Sequence, residues 1–486
     1  MMNPASAHFN FQAKAREEMI HDGFQPDFPP QVMAEVNSAQ AADVTAGNRR
    51  DLRALLWSSI DNDESRDFDQ VEWAERLPNG NIRVLVGIAD VDAVVKKGSA
   101  ADRHAAANAT SVYTGGPVFS MLPERLSTDL TSLGQDVDRA AVVMEFVAGK
   151  DGAVVSHDVY QAVLRNKARL AYNQVAQWLQ NVAPAPLDDQ VRVQNEASAL
   201  LKEFRRQHGS LTLGGVESVP VIVNNEIKRF ENMQSNPARD IIENFMVAAN
   251  EAMARFLRDR NSLCLRRIVR TPKRWDRIQA IAAQLGTTLP KEPDSRALNE
   301  FLSQRKQADP EHFPDLSLSV LKSMGPGEYV VEHPGSEHEG HFGLAVDDYT
   351  HSTAPNRRYA DLVMQRLLKA SISQSPCPYS EAELSAIAAH CTERESAARH
   401  VERFMKKVAA AIMLQSQIGQ IFDAIVTGVT PQGTYARLLT VPAEGRIVRG
   451  EKGLDIGNKV RVRLLSTDPN KGFIDLAAGD VTPAPV

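Results

Sequence analysis

Apolar and polar positions alternate along VEWAERL (71–77) and IRVLVGIADV (82–91), and Pro78-Asn79-Gly80 lies between them. An Asn-Gly between two alternating runs predicts a β-hairpin. LRALLWSSI (52–60), AAVVMEFVA (140–148), SVPVIVNN (218–225) and Gly343-Leu344-Ala345-Val346 are also strand-like. Helical spacing predicts helices over Gln12–His21, Ala171–Asn181, Leu187–Arg206, Ala238–Arg258, Arg277–Leu285 and Ser295–Arg305. One more begins near Arg357 and runs to about Ala370, and a long one covers Glu381–Ile418. Strands and helices mixed without a regular βαβ repeat predict a large α+β domain.

The pattern changes near Ile418, where about five short β segments follow one another. Gly428, Gly433, Gly445, Gly450, Gly453 and Gly457 fall between or within them, which predicts a small closed barrel of the OB kind. The chain therefore divides into a short helical arm (1–47), an α+β catalytic domain (48–416), an all-β OB barrel (417–480) and a tail (481–486). The arm, with a loop around Pro26-Asp27-Phe28-Pro29-Pro30, is too short for a barrel of its own.

Composition narrows the picture a little. Of 486 residues, 43% are hydrophobic and 24% charged, as in ordinary soluble proteins. No apolar run is long enough for a membrane helix, and the N-terminus has no secretion-signal pattern. Cys264, Cys377 and Cys391 stand apart without metal-like pairing, which fits a reducing cytoplasm. The net charge of −6 argues against a protein that coats nucleic acid, but not against a local basic channel beside an acidic site.

The most informative stretch is IDNDESRDFDQVE (60–72), where Asp61, Asp63, Glu64, Asp67 and Asp69 crowd five carboxylates into nine positions. Such crowding repels itself unless cations neutralise it. Oxygen ligands without His or Cys favour magnesium, manganese or calcium over zinc. Counted from Asp61, the spacing nearly matches a calcium-binding EF-hand loop, with Glu72 at position 12. Arg66 replaces the glycine that such a loop needs, and strand-like flanks replace its helices, so a catalytic divalent-metal site is the better reading. A solvated acidic loop is the third.

HFGLAVDDYTHSTAPNRRYADLVMQRLL (341–368) places a loop ahead of a helix. Pro355 suits a helix start, and Arg357, Arg358 and Arg366 beside it would suit a phosphate. Alone, the segment reads rather as a helix with a solvated basic face. The charged run Glu393, Glu395, Arg399, Glu402, Arg403, Lys406 and Lys407, taken alone, reads as solvent-facing. Arg266, Arg267, Arg270, Lys273 and Arg274 read as either an RNA track or a surface loop.

Together these stretches resemble the ribonuclease II family and its RNB catalytic domain. The likeness runs from about Asp51 to Phe404 through blocks in the family's order: IDNDESRDFDQ, IADVDAVVKKGSAADRHAAANATSVY with MLPERLSTDLTSL, RNKARLAYNQV, DIIENFMVAAN and HFGLAVDDYTHSTAPNRRYADL. The tail resembles the S-one type OB barrel that follows this domain. The resemblance implies processive 3′→5′ hydrolysis of single-stranded RNA to nucleoside 5′-monophosphates with two divalent metals, magnesium or alternatively manganese. It implies that Asp61, Asp67 and Asp69 are metal-site carboxylates. Arg357 would contact the reacting phosphate, and Glu402 would lie at the same centre. Tyr113 would stack on the terminal base, with Glu243 and Arg358 as further RNA contacts. A cytoplasmic monomer with no obligate protein partner and no membrane association is expected.

Three departures stand out. Gln70 occupies a position that is usually acidic in the family, so either Asp63 supplies the charge or metal binding is weakened. Leu213 replaces an aromatic that helps clamp the last base, which bears on end-product length. The arm leaves no room for the cold-shock barrels that typically precede this domain, so a more open entrance, tolerant of structured RNA, is expected. The alternatives are a catalytically impaired RNB-like RNA-binding protein and a calcium-binding regulator.

Overall fold

The computed structural model describes residues 9–214, 218–223, 226–232, 236–335 and 340–479. The expected tail 481–486, residues 1–8 of the arm and residues 224–225 of the SVPVIVNN strand lie outside them. The arm holds α1 (Phe11–His21) and α2 (Pro30–Ser38). Next come β1 (Arg50–Asp51), β2 (Trp57–Asp61), β3 (Gln70–Arg76), β4 (Ile82–Ala89), α3 (Ala100–Asn108), β5 (Val112–Tyr113) and β6 (Val118–Phe119). The hairpin β7 (Asp138–Ala148) and β8 (Val154–Ala171) precedes α4 (Tyr172–Gln180) and α5 (Leu187–Gln207). β9 (Ser218–Val223) and β10 (Glu226–Asn232) lead to α6 (Pro237–Asp259), β11 (Cys264–Ile268), α7 (Trp275–Gln284), α8 (Ser295–Ala308), α9 (Phe313–Met324) and β12 (Glu328–Glu332). α10 (Tyr359–Ile372) and α11 (Glu381–Leu414) complete the α+β part. The last strands are β13 (Ile421–Thr430), β14 (Gly433–Leu438), β15 (Glu444–Arg449), β16 (Lys459–Asp468) and β17 (Phe473–Ala478).

Six strands form the central sheet in the order β1-β8-β2-β3-β4-β7, with β7 and β8 also paired. The Asn-Gly hairpin joins β3 to β4, and Gly80 takes the positive φ of +83° that this turn requires. Trp57, Ile60, Val84, Val86, Phe146 and Leu164 of the sheet pack with Phe245 and Leu257 of α6 and Leu362 and Val363 of α10. Burying each large side chain contributes roughly 1.5–3 kcal/mol. β13–β17 close the expected barrel in the order β13-β14-β15-β17-β16, around Val426, Ala436, Val462 and Leu476. Arg437 of the barrel makes a two-pronged contact with Asp315 of α9 (3.0 and 2.7 Å). Among the described residues no helix is long and apolar enough to cross a membrane.

Several expectations are corrected. Gly343–Val346 forms no strand; it turns between bridged residues His341 and Val346, with Ala345 at φ +51°. Only Trp57 onward in LRALLWSSI is strand, and the long helix ends at Leu414. Pro355 does not start α10, because Arg358 is the N-cap and Pro355 stays in the loop. Arg366 is no phosphate ligand: it is buried, 2.9 Å from Asp92 and 2.8 Å from Asp102. The basic run is not a surface loop at its start either. Arg266 is 1% exposed and binds Glu332 (2.8 Å) and Asp348 (3.0 Å), while Arg267 pairs with Glu395 of α11 (2.8 Å).

Removing the guanidinium from such a buried set takes a cation from Glu332 and Asp348, although Asp348 keeps its contacts with Arg258 and Arg255, at a cost of up to about 3–5 kcal/mol. Arg266→Met is therefore expected to lose about that much in urea unfolding. The double variant Arg266→Met with Glu332→Met should recover part of it. With Glu332→Met measured alongside, a double-variant loss equal to the sum of the two single losses would show that the ion pair carries no coupling.

Candidate active site

β2 ends on Asp61 and β3 begins at Gln70, and the two strands pair only at Ser58–Glu72. They diverge below the acidic loop and leave it room. The loop is pinned by backbone contacts: Phe68 N–H donates to Ser132 Oγ (3.1 Å), Ser132 Oγ–H to the Arg66 carbonyl (2.8 Å), and Leu133 N–H to the Phe68 carbonyl (3.0 Å). Arg169 donates to the Asp63 carbonyl, and Arg239 Nη2 to Asn62 Oδ1 (3.0 Å). These bonds turn Asp69 inward, where it is 3% exposed, and leave Asp63 and Glu64 in solvent.

Asp69 Oδ1 accepts the Asn356 N–H (3.2 Å), and Oδ2 lies 4.0 Å from Arg357 Nε. Burial, with the charge of Asp67 added, pushes the Asp69 carboxyl up to about 7 against the pull of Arg357. Asp67 is raised by burial and then by Asp61. The three carboxylates therefore act on one another in a chain, with Arg357 as the opposing charge.

A second set of ties brings in residues from far along the sequence. Tyr359 N–H donates to the Ala109 carbonyl (2.8 Å) and Ser111 N–H to the Arg357 carbonyl (2.9 Å). Tyr113 N–H then donates to Glu402 Oε1 of α11 (3.1 Å). The Tyr113 side chain is 43% exposed. Its hydroxyl is raised to about 12, by desolvation first, with Asp67, Asp69 and Glu402 adding and Arg357 opposing. Tyr113, Glu402, Arg357, Asp67 and Asp69 thus share one electrostatic neighbourhood, and Asp61 joins it through Asp67.

The other two candidates sit differently. Arg358 turns its guanidinium onto Asp361 (2.9 and 2.7 Å) and is about one-fifth exposed, so it braces the start of α10. Glu243 is exposed on α6 and lines a cleft of about 720 Å³ with Tyr172, Leu213 and Arg239. Arg239 stacks over the Tyr172 ring (4.4 Å) while holding Asn62, so this cleft abuts the acidic loop. Arg239 carried no signal in the sequence beyond its place ahead of IIENFM.

Glu72 was legible only as a numbered position in a calcium loop. It is fully buried, and among the described residues neither carboxylate oxygen has a hydrogen-bond partner. Burial, then Asp61, raises its carboxyl well above the usual range. An exposed Asp63 is poorly placed to replace the charge missing at Gln70, whereas Glu72 lies two residues further along the same strand face. The donors are all oxygen, the carboxylates repel one another, and one buried carboxyl is orphaned. That chemistry fits a hard divalent cation such as magnesium or manganese. It does not fit a calcium hand, since strands flank the loop.

An oxygen-only carboxylate centre faced by an arginine, on an α+β domain joined to a closed five-stranded barrel, is the class of protein these elements define. The chain belongs to the RNB family: residues 49–374 match the RNB domain, and residues 420–479 match the RNase II-type exonuclease C-terminal S1 domain. It is 31% identical over 443 residues to ribonuclease R of Thermotoga maritima, covering 86% of this chain. The match takes in 61% of that relative, so the chain spans about three-fifths of its length. Its fold is similar to Mycoplasma genitalium RNase R solved with ribose-methylated single-stranded RNA (TM-score 0.89, 23% identity, 97% of this chain and 78% of that one). The yeast pseudonuclease Ssd1 shares the fold at TM-score 0.72 and 17% identity, over 95% of this chain and 57% of that one, so the fold alone does not decide catalysis.

A carboxyl near 7 in the folded chain and about 3.9 when unfolded takes up a proton on folding. The folded state is then favoured below the unfolded value and loses that advantage as pH rises through about 7. In chelator, Asp69→Asn is expected to be more stable than the parent chain at pH 8, by roughly 4 kcal/mol, and to differ little at pH 4. Urea unfolding at both pH values reads this directly. Parallel pH curves for the two chains would show Asp69 ionised without penalty.

Proposed function

We propose that the chain is a hydrolytic exoribonuclease that shortens single-stranded RNA from its 3′ end and releases nucleoside 5′-monophosphates. The observation that carries this reading is the meeting of Asp61, Asp67 and Asp69 with Arg357, Glu402 and Tyr113 at one centre. RNB membership and the ribonuclease R relative support it. Asp61, Asp67 and Asp69 would hold magnesium, which when bound supplies an activated water and charge neutralisation at phosphate. Manganese suits the same oxygens.

Arg357, 44% exposed and held beside Asp69, is free to meet the non-bridging oxygens of a phosphate and oppose charge that develops there. Tyr113 offers an exposed ring to the last base, and stacking tolerates any base because each has a π-face. The Glu402 contact to the Tyr113 main chain fixes that ring relative to the carboxylates. Glu243, with Leu213 and Tyr172 in the adjoining cleft, would line the path of the RNA end. Arg358 acts here as a positioning residue for Arg357 through Asp361. A cytoplasmic monomer that accepts structured RNA is part of this reading.

Gln70 favours one second reading, a catalytically impaired RNA-binding protein. The two separate on 5′-labelled single-stranded RNA with magnesium or manganese. A ladder ending in a short 5′ fragment, with released monophosphates, is expected, and Asp69→Asn should slow it by at least roughly 100-fold. Retained binding with intact RNA in both metals would establish the impaired protein. Gln70→Asp is expected to lower the half-maximal magnesium concentration several-fold. An unchanged requirement would mean that position 70 is not part of the metal site.

A further inference from the structure

α1 and α11 meet along an apolar seam in which Phe11, Ala15 and Met19 pack with Ala398, Val401 and Met405. Beside that seam the last turn of α1 sets Glu18, His21 and Asp22 three and four residues apart, on one helix face. His400 of α11 closes onto them, with Nδ1 2.7 Å from Asp22 Oδ2. His21 Nδ1 lies 3.2 Å from Asp22 Oδ1 and 3.8 Å from Glu18 Oε1. One donor atom each from Glu18, Asp22 and His400 falls within 4.8 Å of the others.

Glu18 makes this more than an ion-pair cluster. Its side chain is 10% exposed, yet no hydrogen bond to its carboxylate comes from the described residues. A carboxylate with so little contact with water and no hydrogen-bond donor is better stabilised when a cation meets it. Arg394 reaches the same turn but donates to the Asp22 main-chain carbonyl (2.9 Å) and pairs with Glu393 (2.6 Å). Among the described residues, neither Glu18 nor Asp22 is paired with an arginine or lysine.

We propose that Glu18, Asp22 and His400 hold a divalent transition-metal ion that staples the N-terminal arm to α11. One imidazole nitrogen and two carboxylates suit zinc or manganese better than magnesium, and His21 stands beside the set as a fourth donor. The site shares no residue with the Asp61, Asp67 and Asp69 centre. Its consequence reaches that centre through the helix, because His400 lies two residues from Glu402. The ion fixes the arm against the helix that carries Glu402 without touching reacting atoms.

The test uses the full chain with Asp67→Asn and Asp69→Asn as its background, which weakens the carboxylate centre, and zinc as the probe. Calorimetry is expected to show one zinc equivalent that His400→Ala and Glu18→Gln each weaken at least 10-fold. His400→Cys, which keeps a zinc ligand, should retain binding. Thermal unfolding should shift upward with zinc in the background chain and not in His400→Ala, since a ligand that binds only the folded state stabilises it. Melting in chelator shows whether each variant folds. Equal zinc binding with and without His400, or no zinc equivalent in the background chain, would overturn the proposal and leave a cluster of ion pairs.

Discussion

Like charges held close together in a poorly solvated place repel strongly, and the structure is organised around containing that repulsion at the acidic loop. Asp69 is the deepest of the three carboxylates and the one most raised by its surroundings. It stays where it is because covalent and hydrogen-bonded geometry leaves it no alternative. Ser132 holds the loop on one side, Asn356 meets the carboxylate from another, and the Ala89 N–H binds the Asp69 carbonyl (2.9 Å). Preorganisation of this kind places the cost in the folding of the protein, so in the function we propose a cation or a phosphate would meet groups already aimed.

The arginines divide that work. Arg357 keeps its guanidinium partly in solvent and lowers the cost of Asp69 from a distance of 4.0 Å. Arg358, its neighbour, is committed to Asp361, whose Oδ1 also accepts the Ala354 N–H (2.8 Å). Asp361 thereby closes the loop onto the start of α10. One arginine of the pair is committed to a neighbouring carboxylate, and the other keeps its guanidinium partly in solvent.

Much of this was legible in the sequence where the signal was local. The Asn-Gly hairpin, the helix periods, the barrel glycines and the carboxylate spacing all depend on residues a few positions apart. What was not legible depends on partners from elsewhere. Arg266 looks like part of a solvated run until Glu332 and Asp348, 66 and 82 residues away, are folded against it. Glu402 sits on a charged helix surface, and its contact with Tyr113, 289 residues earlier, has no trace in the residues around it. β8 was missed because Arg165, Lys167 and Arg169 interrupt its apolar positions, although Leu164, Ala168 and Leu170 are buried between them. The charged residues of β8 lie along its more exposed side, where they do not weaken a paired strand.

α11 shows how such distant residues are kept in register. A helix of 34 residues extends about 50 Å, and in a folded protein most of the stability of such a helix comes from packing of its buried face. Ser380 and Glu383 close its first turn reciprocally, and Ala398, Val401, Met405 and Val408 then form a buried stripe at helical spacing. Glu402 follows Val401 directly, so its direction is set by the stripe beside it and not by a ligand. Rotating the helix enough to swing Glu402 away from Tyr113 would expose that stripe, at roughly 1.5–3 kcal/mol for each large side chain. The carboxylate at the centre is therefore positioned by hydrophobic burial on the neighbouring face, and the same stripe docks the arm that carries Glu18 and Asp22.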